Sequence, residues 1–429
     1  MNNRLSFLAL IIWLTCAIFF MYEFLLRTIL GTFEHQIISD LDLSILTFSI
    51  LSSTAYQLTY GVMQIPVGII TDKLGLKKAL TLAILVCALG VGLFGVCNGF
   101  AAALIYRVMI GFGASFGFLC LLIAVYDWLP HKHIGLFIGL SQFIGVMGPM
   151  LAAGPLDSLS QAGGINWRYV FIVLAIVGVI LAILTLLIVK NNDNDQSSTG
   201  SNKNRFILLE NPSSILAEIR SIFSNKQIWL IAVFSATSYL AIEYLSENAT
   251  TSFLQLNGFN SKFSSYLITL AWLGYGIGCP GLGAISDRIR RRKPVMVFAV
   301  CLVFISLVTI IFFPVNKAIL YLAFFCLGLG ASGQSIGFAI IAEQSNSNCR
   351  AAALGVNNFL IMFSVGIGSP IISEIFDIFS SQGKSVSIQS YQLSLSLLLI
   401  FTAMGILISI FFIKETFCRS TKEVIFLEK

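Results

Sequence analysis

Twelve apolar stretches, each closed by a polar, glycine or proline cluster, occupy most of this chain. A helix needs roughly 20 mostly apolar residues to cross the hydrocarbon of a bilayer. In lipid the backbone must pair its own polar groups, so a lone apolar stretch of that length has to be a helix. The first half reads as spans at 5–30, 45–70, 78–98, 101–126, 134–157 and 168–190, and the second at 227–254, 264–285, 294–314, 317–342, 351–377 and 388–413. The chain is 57% hydrophobic and only 11% charged, where soluble domains run near 25% charged. A soluble fold has no means of hiding that much apolar surface. The expected fold is therefore an all-α integral membrane protein of twelve helices in two six-helix bundles, 1–190 and 227–414. Between them lies a linker, 191–226, that starts NNDNDQSSTGSNKN and is too polar to bury. Pro212–Arg220 has the pattern of a short amphipathic helix. Residues 415–429 form a tail.

Basic residues orient the spans. With the N-terminus placed inside, twenty Lys and Arg fall on the inner side. Four fall outside (Arg168, Lys262, Lys317 and Lys384), while Arg27 and Arg107 lie within spans. Both termini and the linker are thus expected in the cytoplasm, and the short loops point to a bacterial inner membrane. The net charge of +6 sits in these loops, so no nucleic-acid partner is implied, and the run Arg288–Lys293 is an orientation anchor. The first apolar run is too long for a signal-peptide core. Nine scattered cysteines show no CxxC or Cys/His ligand spacing and read as small apolar fillers, leaving neither metal nor cofactor to expect.

The halves repeat at an offset of about 216 residues. Trp13 pairs with Trp229. Tyr60 and Tyr275 each stand twelve residues before an aspartate, Asp72 and Asp287, and Gly68 and Gly283 stand four before it. GFGAS at 111–115 returns as GLGAS at 328–332, and GLSQF at 139–143 as GVNNF at 355–359. Transporters built from repeats place their sites near the midplane between them.

Between spans 2 and 3 stand Gly68, Asp72, Lys73, Gly75, Lys77 and Lys78, spaced as GxxxD(R/K)xGxx(R/K). This closely resembles the signature of the major facilitator superfamily. Gly283, Asp287 and Arg288 form a second copy that lacks the glycine after Arg288. The resemblance covers the whole chain. It extends to Arg107, Gly111 and Gly113 on span 4, and to the Trp167-Arg168 start of span 6. It implies a secondary transporter whose two aspartate loops act as a latch, each glycine letting two helices approach closely. Tyr22-Glu23 with Arg27 on span 1 is also similar to the branch that holds lysosomal dipeptide transporters and intracellular-bacterial nutrient carriers. Gly90-Val-Gly92-Leu-Phe-Gly95 matches a nucleotide-loop pattern but lies inside an apolar span, where helix packing explains it. His35, His131 and His133 fall at span edges as loop residues. The sequon at Asn248 sits at a membrane edge. No hydrolytic or nucleophilic constellation is present, so the chain is not expected to be an enzyme.

Charge inside spans is the signal for a site, because each such residue costs roughly 2.5–3.5 kcal/mol on insertion scales. Glu23 and Arg27 lie four apart on span 1, Arg107 on span 4, and Glu243 and Glu247 four apart on span 7. The repeat places Arg27 and Glu243 at equivalent positions with opposite charge. Arg27 is expected to receive an anionic group, and Glu243 a cationic group or a proton. Glu23 and Arg107 are further proton-coupling candidates, with an alternative in which Glu23 pairs with Arg27 and Arg107 braces span 1 through its carbonyls. Glu247 is expected at the outer rim, solvated. Tyr22, Gln57, Tyr60, Gln142, Tyr239, Trp272, Tyr275, Gln334 and Asn358 complete the expected pocket. Together these imply a monomeric carrier in the bilayer that moves a small polar or zwitterionic solute, an amino acid or short peptide, with protons. The competing expectations are a proton-driven exporter of drugs or siderophores and a non-transporting sensor on the same fold.

Overall fold

A computed structural model describes residues 6–130, 134–190, 224–248, 250–314, 316–345, 350–381 and 387–418. His131, His133, Pro212–Arg220, nearly all of the linker and the tail beyond 418 lie outside the described residues. Helices make up the fold: α1 (Phe7–Thr32), α2 (45–72), α3 (Lys73–Gly95), α4 (Phe100–Trp128), α5 (Phe137–Ser160), α6 (Trp167–Ile188), α7 (Lys226–Glu247), α8 (Ser261–Ile289), α9 (Lys293–Phe312), α10 (Lys317–Gln344), α11 (Ala353–Ser380) and α12 (Ile388–Phe412). Eleven are long and apolar enough to cross a membrane. The twelfth comes from Ile45–Gln64, bent by 116° from the short helix Glu34–Leu41. Both ends of the helical array emerge on one face, here called inner.

Local chemistry sets the boundaries. Asn166, Asn260, Asn316 and Ser387 cap the outer starts of α6, α8, α10 and α12, each side-chain oxygen accepting a backbone N–H of the first turn. Two boundaries differ from the expected ones. α3 begins at Lys73 rather than 78, because α2 runs into it with only Gly75 out of helical geometry. Its φ of 76° is a left-handed value that glycine adopts without cost. The seventh span stops at Glu247, and Thr250–Leu256 is a separate short helix.

The bundles pack internally as α1 with α4 and α5, and α3 with α4 and α6, mirrored by α7 with α10 and α11, and α9 with α10 and α12. They meet along α1–α7, α2–α11 and α5–α8. The repeat is visible in atomic detail. Gly111 lies against the backbone of Tyr56 on α2, and Gly328 against that of Ala271 on α8. Gly113 lies against Ala83 and Cys87 on α3, and Gly330 against Ala299 and Val303 on α9. A Cβ at any of the four would strike neighbouring backbone, so the recurring GxGAS motif is a helix-crossing device used twice. By contrast, Gly68 and Gly283 do not mark close crossings. A Cβ at Gly68 would find only Leu119, at 3.8 Å, and one at Gly283 would find nothing within 4 Å. Gly283 instead lines the space between the bundles.

Candidate functional site

A cavity of about 560 Å³ runs from Arg27 at mid-depth to Asp287 and Arg292 at the inner face. Beyond Arg27 the outer side is sealed by contacts between halves. Ser53 Oγ donates to Glu247 at 2.5 Å, Ser52 to Asn248 at 3.1 Å, and Thr54 to the Gly366 carbonyl at 2.6 Å. Ser265 donates to Asp157, and Gly31 on α1 lies against the backbone of Ser246 and Glu247 on α7. The cavity is open inward and shut outward.

Arg27 and Glu243 form an ion contact across the two bundles, Nε to Oε1 at 3.2 Å, both fully buried. Burying two charges is repaid only by near contact and further hydrogen bonds, yet Arg27 Nε is not aligned for one. Its only side-chain hydrogen bond among the described residues is from Nη1 to the Met362 sulfur at 3.6 Å. Otherwise the guanidinium lies on aromatic faces, 3.7 Å from the Phe24 ring centre and 5.8 Å from that of Tyr60. Glu243 also accepts from Gln57 Nε2 at 2.9 Å, and the same amide reaches Glu247 at 3.2 Å. Glu247 is therefore a buried gate residue, not the solvated rim residue expected: Gly31 brings α1 close enough to cover it.

Arg107 has the opposite surroundings. Its guanidinium donates to the carbonyls of Leu51 (3.1 Å), Leu26 (2.9 Å), Ser52 (2.6 Å) and Arg27 (3.4 Å) and stacks on Tyr56. Residues Ile50–Thr54 form a π-helical turn, which frees carbonyls from the regular ladder. Arg107 satisfies two of them and ties α4 to α1 and α2. Glu23 accepts from the Tyr56 hydroxyl at 2.8 Å, and its Oε1 has no hydrogen-bond partner among the described residues. That leaves the Glu23–Arg27 pair of the alternative reading unformed, because Arg27 is drawn across to Glu243.

Of the other expected pocket residues, Tyr60, Gln142, Tyr239, Tyr275, Gln334 and Asn358 line the cavity. Gln334 Nε2 bonds the Tyr275 hydroxyl at 2.5 Å, and Asn358 reaches Gln64 across the halves at 2.9 Å. Gln57 and Trp272 sit behind the lining. Trp272 bonds Ser246 at 2.8 Å and packs edge-on to Phe24, Tyr239 and Tyr275. Tyr22 points elsewhere, donating to the Leu174 carbonyl at 2.8 Å and so joining α1 to α6. Phe20, Phe24 and Met362 line the cavity and went unnoticed in the sequence, where apolar residues inside apolar spans carry no mark.

At the inner mouth Lys73 and Arg288 are exposed, and Asp287 pairs within its own bundle with Arg292 at 2.6 Å. Arg292 also binds Glu343 at 2.7 Å. Burial alone would lower the Arg292 guanidinium, but the hydrogen bond and charge of Glu343, with the charge of Asp287, hold it above its ordinary value.

Residues 8–369 and 237–422 match the family model described as Major Facilitator Superfamily. A protein of Haemophilus influenzae named for metabolite transport is 26% identical over 414 residues, covering 90% of this chain and 91% of that one. A protein of Escherichia coli named for L-galactonate transport is 26% identical over 229 residues, covering 52% of this chain and half the length of that relative. Among solved structures, the D-xylose-proton symporter superposes with a TM-score of 0.73 at 15% identity, covering 96% of this chain and 98% of that one. At that identity the likeness speaks for the fold.

Proposed function

This chain belongs to the Major Facilitator Superfamily, and from that premise we propose that it carries a small, polar, carboxylate-bearing solute by alternating access, coupled to protons. One observation carries the solute class. Arg27 is a fully buried cation that faces the cavity with its hydrogen-bonding capacity almost unspent. A planar carboxylate matches a guanidinium in two parallel hydrogen bonds. On arrival it takes the place of Glu243 on Arg27, and Glu243, released from its partner, is the residue assigned here to the coupling proton. That exchange couples solute to proton with these two residues, Gln57 holding Glu243 in place. Tyr60, Tyr239 and Tyr275 offer hydroxyl-tipped aromatic walls, and Gln334 and Asn358 offer amides for the solute's polar groups. Arg107 serves as the brace that fixes the helix carrying Arg27.

The relatives shift the balance away from an amino acid or short peptide, since L-galactonate has a carboxylate and hydroxyls but no amine. The carboxylate is the element shared with the zwitterion read from the sequence, and it is what Arg27 requires. A fixed buried charge in the cavity disfavours an apolar drug. In this scheme the halves 1–190 and 227–414 rock as units in a monomer, the termini lie in the cytoplasm of a bacterial inner membrane, and the open cavity faces the cytoplasm. The test is uptake into proteoliposomes of labelled hydroxy acids including L-galactonate, amino acids, dipeptides, nucleosides and neutral sugars, with and without a pH gradient. Acids should enter saturably and faster with the gradient, and Glu243→Gln should lose the gradient's effect. Saturable uptake confined to neutral sugars or nucleosides would refute the proposal.

A further inference from the structure

The second aspartate loop lacks the glycine that makes the first one turn. The structure shows what replaces it. α8 runs on to Ile289 and stops on Arg290 in left-handed geometry, φ 53°. Arg292 occupies the cap position of α9 and offers no side-chain cap to the helix. The first backbone N–H groups of α9 are met from the far end of the chain instead. Arg292 N donates to Glu415 Oε1 at 2.9 Å and Lys293 N to Glu415 Oε2 at 3.0 Å, so one carboxylate caps the helix bidentately. Thr416 Oγ1 donates to Glu343 Oε2 at 2.5 Å, while Glu343 Oε1 holds Arg292. Cys418 Sγ reaches the Ser286 carbonyl at 3.6 Å. Upstream, Gln227 clamps the strand of chain leaving α12, accepting from Lys414 N at 3.0 Å and donating to the Phe412 carbonyl at 2.9 Å, and Ile413 is buried beneath it. Residues 412–418 thus tie together the inner ends of α7, α8, α9, α10 and α12.

We propose that this segment is a working strap of the second latch: Glu415, with Thr416 acting through Glu343, positions Arg292 on Asp287 and so favours the inward-open state. The reasoning is electrostatic and geometric. Asp287 lies at the cavity mouth, its side chain 66% exposed. When the inner ends of the bundles close together, that carboxylate has to give up its own-bundle partner or be covered with it. Each contact that fixes Arg292 opposes this exchange. Glu415 does so twice, because a negative charge at the start of α9 favours the helix as well as meeting its free N–H groups. Glu415 is a positioning residue here; it touches no solute. The proposal rests on alternating access but not on which solute is carried.

Cys279 provides a solute-free readout, since it lines the cavity on the inner side of Arg27. Its rate of modification by a membrane-impermeant maleimide, followed at that peptide by mass spectrometry on the full-length protein in nanodiscs, reports the inward-open population. Glu415→Ala should slow labelling about fivefold, the size of a lost helix cap. Glu415→Gln, which keeps one good acceptor, should fall between. Thr416→Val supplies an independent arm if Glu415→Ala does not fold, and should slow labelling in the same direction. Glu247→Ala, which loosens the outer gate, is the control and should also slow it. Wild-type labelling in both strap variants, with slowing in the control, overturns the strap alone. Wild-type labelling in all of them overturns alternating access, and the strap with it. A merely structural cap would lower the melting temperature and leave Cys279 labelling untouched.

Discussion

Two arginines are buried side by side in the first bundle, and their surroundings could hardly differ more. Arg107 spends its guanidinium on four backbone carbonyls of α1 and α2. Arg27 spends its own on one sulfur, one misaligned carboxylate and two ring faces. Burial is equally complete for both, so burial does not separate structure from function here. The hydrogen-bond account does. A charge with four of its five donors engaged by backbone is part of the scaffold. A charge left with unspent donors at the wall of a cavity is held ready for something that the cavity admits.

Arg27→Ala is the sharpest way to break this contrast. Removing one partner of a buried charge pair costs about 2–5 kcal/mol, so saturable uptake of the transported acid should fall about 30-fold or more, with the protein still inserted and folded. Arg27→Lys should recover little, because an ammonium lacks the planar fork. Uptake at the wild-type rate in either variant would remove Arg27 from the site. Arg107→Ala should do the reverse. It strands the carbonyls freed at the π-helical turn, each worth about 1–3 kcal/mol when left buried and unpaired. Thermal unfolding in detergent should therefore fall by many degrees, while whatever protein remains folded keeps its affinity for solute. Lost affinity with unchanged melting would mean the two arginines had been assigned the wrong way round.

How far each arginine was readable in the sequence follows from the same physics. Charge at mid-span, the twelve helices and the paired halves are all one-dimensional signals, since lipid penalises any polar side chain wherever it points. The partner of that charge is not. Glu23 stands one turn from Arg27, which left open that it was the counter-ion, but Arg27 is drawn across the bundle interface to Glu243. Glu247 looked like a rim residue because it falls in the outer part of its span, and only the crossing of α1 over α7 at Gly31 shows that it is covered. Tyr22 has the depth of a pocket residue and the wrong azimuth, its hydroxyl held by Leu174. The strap was invisible, because a glutamate in a short polar tail gives no hint that a helix start nearly 125 residues away is waiting for it.

The outer gate sharpens the comparison at a smaller scale. Gly31→Ala would drive a methyl group into the backbone of Ser246 and Glu247. Overpacking of this kind costs about 1–3 kcal/mol, and it falls only on the closed form of the gate. The variant should therefore fold, label more slowly at Cys279 and transport several-fold more slowly. Faster labelling at Cys279 would show that the crossing at Gly31 does not govern which side is open.

The smallest effect belongs to the half-exposed ion pair at the inner mouth. Arg292 and Asp287 are as close as any ion pair among the described residues, at 2.6 Å, yet the Asp287 side chain is 66% exposed. Water screens such a pair to about 0.2–1 kcal/mol, far below the loss from exposing the buried Arg27 contact. A latch of that size biases the rocking equilibrium without deciding it. Asp287→Asn should therefore lower the maximal transport rate by no more than about fivefold and leave the half-saturating concentration where it was, since no solute contact is lost. Asp72→Asn should act in the same sense on the first latch, where Gly75 and not a strap makes the turn. A mutant with full maximal rate and weakened affinity would place the aspartate among the solute contacts. It would also dissolve the distinction drawn here, in which buried charge with unspent donors selects the cargo and exposed charge at the bundle ends sets the pace.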